Sequence, residues 1–280
     1  MPELPEVETV RRGLAAHVVG HRISAVEVGR ERTVRRTSRQ ALVDGLTGAT
    51  ITAANRRGKY LLCPLDTGDE MMVHLRMSGR LLITEPGTPR LPHTHVVLHL
   101  DSDPPTELWF VDPRTFGEVV VFDPTNAAVE VPEIARLGID PVADGLTRAQ
   151  LATLLRSRHR QLKAMLLDQH VIAGIGNIYC DESLHRAKLR WDRPSDSLTT
   201  REIGRLHGAI TAVLADAVEA GGSTLADTQY VDIDGESGWF QVHHLVYDRA
   251  GQRCLTCGKA DIVKVNVAGR GTHFCPRCQH

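Results

Sequence analysis

Past its first twenty residues, the hydrophobic pattern of this 280-residue chain changes period once, and that change limits what it can fold into. From about residue 22 to residue 122 the apolar residues come in short runs, around Ile23, Val26 and Val28 and then at 50–52, 60–62, 71–73, 95–100, 108–111 and 119–122, with Gly or Asp-Pro between them. Such runs read as strands, and short strands at this spacing build a sandwich or a barrel. Beyond about residue 132 the pattern turns helical, over 147–156, 161–168, 177–188 and 199–219, with Gly174, Gly176, Gly221 and Gly222 as punctuation. Strands first and helices afterwards is the α+β order. The boundary falls in the polar, proline-bracketed stretch 123–132. At 280 residues two domains are expected.

Ahead of the strands, Val7, Val10, Leu14 and Val18 recur at helical spacing and Gly20 closes them, which predicts an amphipathic helix over 5–19. Its lead-in is Met1-Pro2-Glu3-Leu4-Pro5-Glu6. With Met1 removed, Pro2 becomes a secondary amine, and an α-amino group with a reference pKa of roughly 7.7–8.0 is partly unprotonated at neutral pH. It is then a nucleophile, and Glu3 beside it is a candidate general acid-base. The plainer reading is a stiff terminus with carboxylates at a helix start.

The tail, from near Trp239, carries Cys254-x2-Cys257 and Cys275-x2-Cys278. Two such pairs bring four thiolates around one Zn²⁺, and a structural site of this kind stabilises rather than reacts. Cys63 and Cys180 lack such a partner and read as ordinary buried thiols. Lys and Arg number 33 against 34 acids, so no bulk basic excess points to nucleic acid. The basic residues are nevertheless grouped: Arg30, Arg32, Arg35, Arg36 and Arg39; Arg56, Arg57 and Lys59; Arg156, Arg158, Arg160 and Lys163; Arg253, Lys259, Lys264, Arg270 and Arg277. One segregated basic face is as good a reading as four separate solvated ones. No apolar run has membrane-spanning length and no secretory leader is legible, so a cytoplasmic protein, associated with the nucleoid if it binds DNA, is expected.

Several stretches together resemble the formamidopyrimidine-DNA glycosylase family: PELPEVETV with RRGL at 2–14, RRGKYLL at 56–62, HLRMSGRL at 74–81, DPRTFG at 112–117, and LLDQHVIAGIGNIYCDE at 166–182. GGSTL at 221–225, GESGWF at 235–240, VYDRAGQRC at 246–254 and GRGTHFCPRCQ at 269–279 extend the resemblance to the C-terminus. It implies an N-terminal catalytic β-sandwich domain with an N-terminal helix over 1–130, a helix-two-turn-helix domain over 131–238 and a β-hairpin zinc finger over 239–280. The implied activity is excision of 8-oxoguanine and formamidopyrimidines from double-stranded DNA, followed by strand cleavage at the abasic site, by a monomer holding one structural Zn²⁺.

In that scheme Pro2 attacks the sugar, Glu3 shuttles protons, Lys59 is the proton donor of β-elimination, and Arg270 serves δ-elimination and contacts phosphate. Asn177 donates to a phosphate, His93 and Arg158 contact DNA, and Met77, Arg114 and Phe116 fill the gap left by a flipped nucleotide. Without the resemblance, Met77 and Phe116 read as core residues. Segment 223–238 is long enough for a lesion-covering loop. Four residues depart from the family pattern: Arg76 for glycine, Thr94 for aspartate, Thr115 for arginine and Cys180 for alanine. Arg158 stands for a lysine. Arg76, beside Met77, is the departure expected to matter most. The alternatives are an endonuclease VIII-like enzyme for oxidised pyrimidines, against which Leu4 argues, and a non-catalytic damage-binding protein that retains Met1.

Overall fold

The computed structural model describes residues 1–34, 36–225 and 230–280. Arg35 of the first basic group and residues 226–229 of the expected lesion-covering segment lie outside the described residues. The chain forms two compact units. One comprises Met1–Arg136 and Ala220–Trp239, the other Leu137–Glu219 and Phe240–His280. By packing, therefore, the segment that follows the helices joins the strand-rich unit, and the cysteine-bearing tail joins the helices.

The first unit opens with α1 (Leu4–His17), which Glu3 caps. Pro5 is tolerated there because the first turn has no intrahelical use for its missing N–H. Leu4, Val7, Val10 and Leu14 turn one face inward. After β1 (Arg22–Val28) comes α2 (Arg39–Leu46), whose cap Ser38 accepts the Ala41 N–H. The strands β2 (Asn55–Arg57), β3 (Tyr60–Pro64), β4 (Glu70–His74), β5 (Arg80–Thr84), β6 (Thr94–Asp101), β7 (Thr106–Val111) and β8 (Glu118–Phe122) complete two four-stranded antiparallel sheets. Their orders are β1-β6-β7-β5 and β2-β3-β4-β8. Two separate sheets make a sandwich, which resolves the sandwich-or-barrel alternative. The stretch 50–52, read as a strand, has isolated bridges instead, Arg22 with Thr50 and Ile51 with Leu65.

The returning segment fills a gap left in α1. Ile83 donates its N–H to the Ile233 carbonyl at 2.9 Å, and a Cβ on Gly13 of α1 would lie 2.2 Å from Ile233 Cγ2. The glycine of the RRGL motif is there to admit Ile233. Tyr230 and Ile233 share one core with α1 and both sheets.

Short helices α3 (Ala127–Glu130) and α4 (Pro132–Ala135) end the first unit's main span. The second unit holds α5 (Arg148–Arg156), α6 (Leu162–Leu166), α7 (Asn177–Ala187), α8 (Thr200–Glu219) and the hairpin β9 (Val263–Val267) and β10 (Arg270–Phe274). Thr147 and Gln150 form a capping box on α5, and the long apolar face of α8 runs from Ile203 to Val218. Among the described residues no helix is long and apolar enough to cross a membrane.

Candidate active site and nucleic-acid interface

Antiparallel register delivers five of the expected residues to one end of the sandwich. In one sheet Tyr60, at the start of β3, pairs with His74 at the end of β4, and His74 pairs with Glu118 at the start of β8. In the other, Val111 at the end of β7 pairs with Arg80 at the start of β5 and with Thr94 at the start of β6. The short connections 75–79 and 112–117 join the sheets at this end. Lys59 in the β2–β3 turn, Met77, His93, Arg114 and Phe116 therefore share it. Phe116 is 40% exposed with the Arg114 guanidinium 5.3 Å over its ring, and Met77 is half-buried. Neither is the core residue its type implies. Lys59, by contrast, is only 6% exposed and so is not part of a solvated basic face.

Pro2 and Glu3 are buried at the head of α1. Glu6 organises that head: its Oε2 accepts the Glu3 N–H at 2.7 Å and its Oε1 the Ser223 N–H at 2.7 Å. Gly222, at φ 80°, has no room for a side chain, since a Cβ would sit 2.8 Å from Glu6 Oε1. Tyr230 donates its hydroxyl to the Glu6 carbonyl at 3.2 Å, and burial with the Glu6 charge pushes its phenol well above the usual range. Further along α1, Glu8 accepts Arg56 Nε at 3.1 Å and Arg11 at 2.9 Å. Burial alone would raise the Glu8 carboxyl, but hydrogen bonds from Arg11 and Arg56 hold it below the usual carboxylate range. Arg56 also donates to the Gly58 carbonyl at 2.9 Å, so one buried guanidinium fastens α1 to the turn that carries Lys59.

The basic groups read from the sequence are accordingly not four free surfaces. Arg56 is an internal tie, Arg36 pairs with Glu118 at 2.7 Å and with Glu133, Arg160 pairs with Asp168 at 2.6 Å, and Lys163 with Asp181 at 2.6 Å. Each of these residues is paired with a carboxylate elsewhere in the fold, so closeness in sequence does not make a shared basic surface.

Arg76, the departure beside Met77, sits at φ 52°, a left-handed conformation natural to the glycine of the family pattern. Internal contacts hold it there. Its N–H donates to His74 Nδ1 at 2.9 Å and its guanidinium donates to Glu118 Oε1 at 2.9 Å. Burial would raise the Glu118 carboxyl, yet hydrogen bonds from Arg36 and Arg76 bring it down to about 2. His74, edge-on to Tyr60 at 4.3 Å, is pushed by burial and then by the Arg76 charge down to about 3, so its ring is neutral at physiological pH. Of the other departures, Thr94 donates its hydroxyl to the Leu91 carbonyl, Thr115 has φ 57°, and Cys180 is fully buried in α7.

In the second unit a pocket of about 310 Å³ has Arg160, Lys163 and Asp168 on one side and Val267, Ala268 and Arg270 on the other. The hairpin turns through Ala268 and Gly269, at φ 49° and 76°, the left-handed pair that a two-residue turn requires. The Gly271 carbonyl, next to Arg270, accepts Asn177 Nδ2 at 2.8 Å and Lys163 Nζ at 3.3 Å. Asn177 and Arg270 are thus brought together through Gly271. Lys163 joins them, although the sequence reading left it in a basic group; a lysine flanked by Leu162, Met165 and Leu166 is the clue that it is buried for a reason. Arg158 lies outside this pocket, exposed, with its guanidinium 3.7 Å from Asp168.

The four tail cysteines are all free thiols with sulfurs within 4.8 Å of one another. Cys254 and Cys278 are 3.9 Å apart and Cys257 and Cys275 3.8 Å apart. A tetrahedron with Zn–S bonds of about 2.3 Å has S···S edges of about 3.8 Å, so the donor set fits one structural zinc ion. Two adjacent carboxylates of α7 hold the finger: Asp181 Oδ2 accepts the His273 N–H at 2.8 Å, and Glu182 accepts the N–H groups of Leu245, Val246 and Tyr247 at 2.8–2.9 Å.

Three family models match this architecture: the formamidopyrimidine-DNA glycosylase N-terminal domain over 1–119, the H2TH domain of the same enzymes over 137–229, and a zinc finger found in FPG and IleRS over 251–280. The formamidopyrimidine-DNA glycosylase of Symbiobacterium thermophilum is 46% identical over 100% of this chain and 89% of its own length. That of Salinispora arenicola is 44% identical over 100% and 96%. Among solved structures, Lactococcus lactis Fpg with abasic-site DNA superposes with a TM-score of 0.90 at 35% identity, over 99% of both chains. The MutM (Fpg) protein of Thermus thermophilus superposes at 0.88 with 42% identity, over 99% of this chain and 98% of that one. Sheet order, hairpin, cysteine cluster and full-length similarity agree, and the chain belongs to the formamidopyrimidine-DNA glycosylase family.

Proposed function

We propose that this protein is a bifunctional DNA glycosylase and abasic-site lyase of base excision repair, removing oxidised purines from duplex DNA in the cytoplasm as a monomer. One observation carries the reading: the sandwich gathers Lys59, Met77, His93, Arg114 and Phe116 at one end, in the unit whose first helix begins at a buried Pro2-Glu3. The names of the relatives support it, as do the Lactococcus lactis neighbours solved with DNA containing an abasic site or a Fapy-dG lesion.

The chemistry follows from the residue types. A base inside the stack is out of reach, so the nucleotide must leave the helix, and Met77, Arg114 and Phe116 replace its contacts. After loss of Met1, the Pro2 lone pair attacks the sugar C1′ while the base departs with a proton. The nitrogen then loses its proton and the C1′–O4′ bond opens, O4′ leaving as a hydroxyl; the iminium so formed acidifies C2′, and loss of that proton expels the 3′ phosphate, after which a second elimination expels the 5′ phosphate. Glu3 carries protons, Lys59 assists the first elimination and Arg270 the second, while Asn177, His93 and Arg158 hold the strand. Labour divides as 1–130 for chemistry, 131–238 for helix-two-turn-helix binding and 239–280 for the finger, whose zinc supplies rigidity.

The test is borohydride trapping on duplexes carrying 8-oxoguanine or thymine glycol, with intact mass to establish Met1 removal. A covalent adduct favouring 8-oxoguanine is expected. Preference for thymine glycol refutes the substrate assignment, and no adduct with processed protein refutes the Schiff base.

A further inference from the structure

We propose that Asp112 is a positioning residue that sets the geometry of the side chains Met77, His93, Arg114 and Phe116, which this protein inserts into or lays against DNA from its first unit. This deepens the proposed function and rests on it. Asp112 is fully buried, directly after β7, where the ends of β5, β6 and β7 meet. Its carboxylate spans two loops. Oδ1 accepts the Ser78 hydroxyl at 2.5 Å and the Arg114 N–H at 3.3 Å, and Oδ2 accepts the Gly117 N–H at 2.7 Å. Ser78 Oγ in turn accepts the Arg114 N–H at 3.2 Å, which closes a small ring of bonds between the Met77 loop and the Arg114–Phe116 loop.

The backbone of Asp112 reaches the third segment. Its N–H donates to the His93 carbonyl at 3.0 Å, its carbonyl meets His95 Nε2 at 2.9 Å, and the same carbonyl accepts the Thr115 N–H at 3.2 Å. In addition to Arg76 in the Met77 loop, two residues of the other segments hold left-handed backbone, His93 at φ 68° and Thr115 at φ 57°. Neither conformation is intrinsically favoured for such side chains, so each depends on the surrounding bonds. Gly117 has no room for a side chain, since a Cβ would lie 2.6 Å from Phe110 Cζ and 3.1 Å from Asp112 Oδ2. One buried residue thus ties together the loops that carry Met77, His93, Arg114 and Phe116 without itself facing DNA: its carboxylate joins the Met77 loop to the Arg114–Phe116 loop, and its backbone N–H reaches His93.

Asp112→Asn replaces one acceptor oxygen by an N–H₂ that opposes either the Gly117 N–H or the Ser78 and Arg114 donors. Ser78→Ala removes the inter-loop bond and leaves Asp112 in place, so it serves if Asp112→Asn fails to fold. Two measurements are made on each protein. The first is binding to a duplex with a tetrahydrofuran site opposite 2-aminopurine, whose fluorescence reports insertion against the partner base. The second is excision of 8-oxoguanine opposite cytosine and opposite adenine.

Both variants are expected to bind the duplex yet lose the fluorescence change. Excision is expected to fall roughly ten- to a hundredfold, as for misplacement by about an ångström, with a flattened opposite-base preference. Cleavage of a preformed abasic site in single-stranded DNA, which offers no partner base, is expected to stay unchanged. An unaltered fluorescence change and opposite-base preference overturn the inference, as does an equal loss on the single-stranded substrate, which marks a general structural role. An inactive wild type that still gives the fluorescence change refutes the proposed catalysis and leaves the positioning role standing.

Discussion

His74 makes the sandwich acid-sensitive. Its Nδ1 accepts the Arg76 N–H, so protonation there breaks a bond and places a cation beside the Arg76 guanidinium. The ring titrates near about 3 when folded against 6.5 ordinarily. Because the folded value is the lower one, the unfolded chain binds the proton first; stability is fully present above 6.5 and drains away as pH falls towards 3. The slope is about 1.4 kcal/mol per pH unit, so moving from 6.5 to about 5 removes roughly 2 kcal/mol. His74→Asn keeps an acceptor at the Nδ1 position and does not titrate. It loses ring packing on Tyr60 and starts out less stable, by an amount independent of pH. Urea unfolding of both proteins, followed by tryptophan fluorescence in zinc-saturated buffer at three pH values, gives the difference that isolates His74. His244, which burial pushes to about 4, is present in both and cancels. The gap should close by about 2 kcal/mol between roughly pH 6.5 and 5. A constant gap refutes the reasoning.

Glu118→Gln leaves Arg36 with Glu133 as its carboxylate partner and takes the carboxylate from Arg76; because both guanidiniums are partly exposed, the cost near neutral pH should be about 1–3 kcal/mol, the range for lost hydrogen bonds to a charged group. The wild type should lose that advantage below pH 4.5 as the carboxyl is protonated towards its value of about 2, which denaturation at acid pH measures directly. Arg76→Gly exchanges a bond to Glu118 for relief of the left-handed backbone. Arg36 still holds Glu118, so calorimetry should find a net loss of only about 1 kcal/mol. Zinc chelation or Cys275→Ser should unfold the finger and abolish binding to damaged duplex in a gel-shift assay, since four thiolates hold a segment with little core of its own. Full binding without metal contradicts this. Affinity for lesion duplex should fall steeply with salt as phosphate contacts release counterions, and a flat log-log plot would show that Lys and Arg are not the contacts.

How much of this was legible beforehand differs from element to element. The helices at 148–156, 177–187 and 200–219 followed their periodicity to within a residue or so, because each buries one continuous face. The strands β2 and β5 were missed, being short and starting or ending in charged residues, Arg56-Arg57 and Arg80. α2 was missed too, since its eight residues hold only two buried side chains, Leu42 and Leu46. Residues 50–52 looked like a strand by composition yet found no ladder to join.

The sequence by itself determined the metal site, the order of strands before helices and, through full-length motif resemblance, the family. Those properties live in local spacing and residue type, which a linear reading preserves. Only the tertiary structure decided what the charges do. Arg36, Arg56 and Lys163 read as parts of a basic surface, and each proved to be tied to a carboxylate on another element. Asp112 read as one letter of DPRTFG and proved to join three loops. Charge pairing and hydrogen bonding act through space between elements tens of residues apart, so their partners exist only once the sheets have set their register.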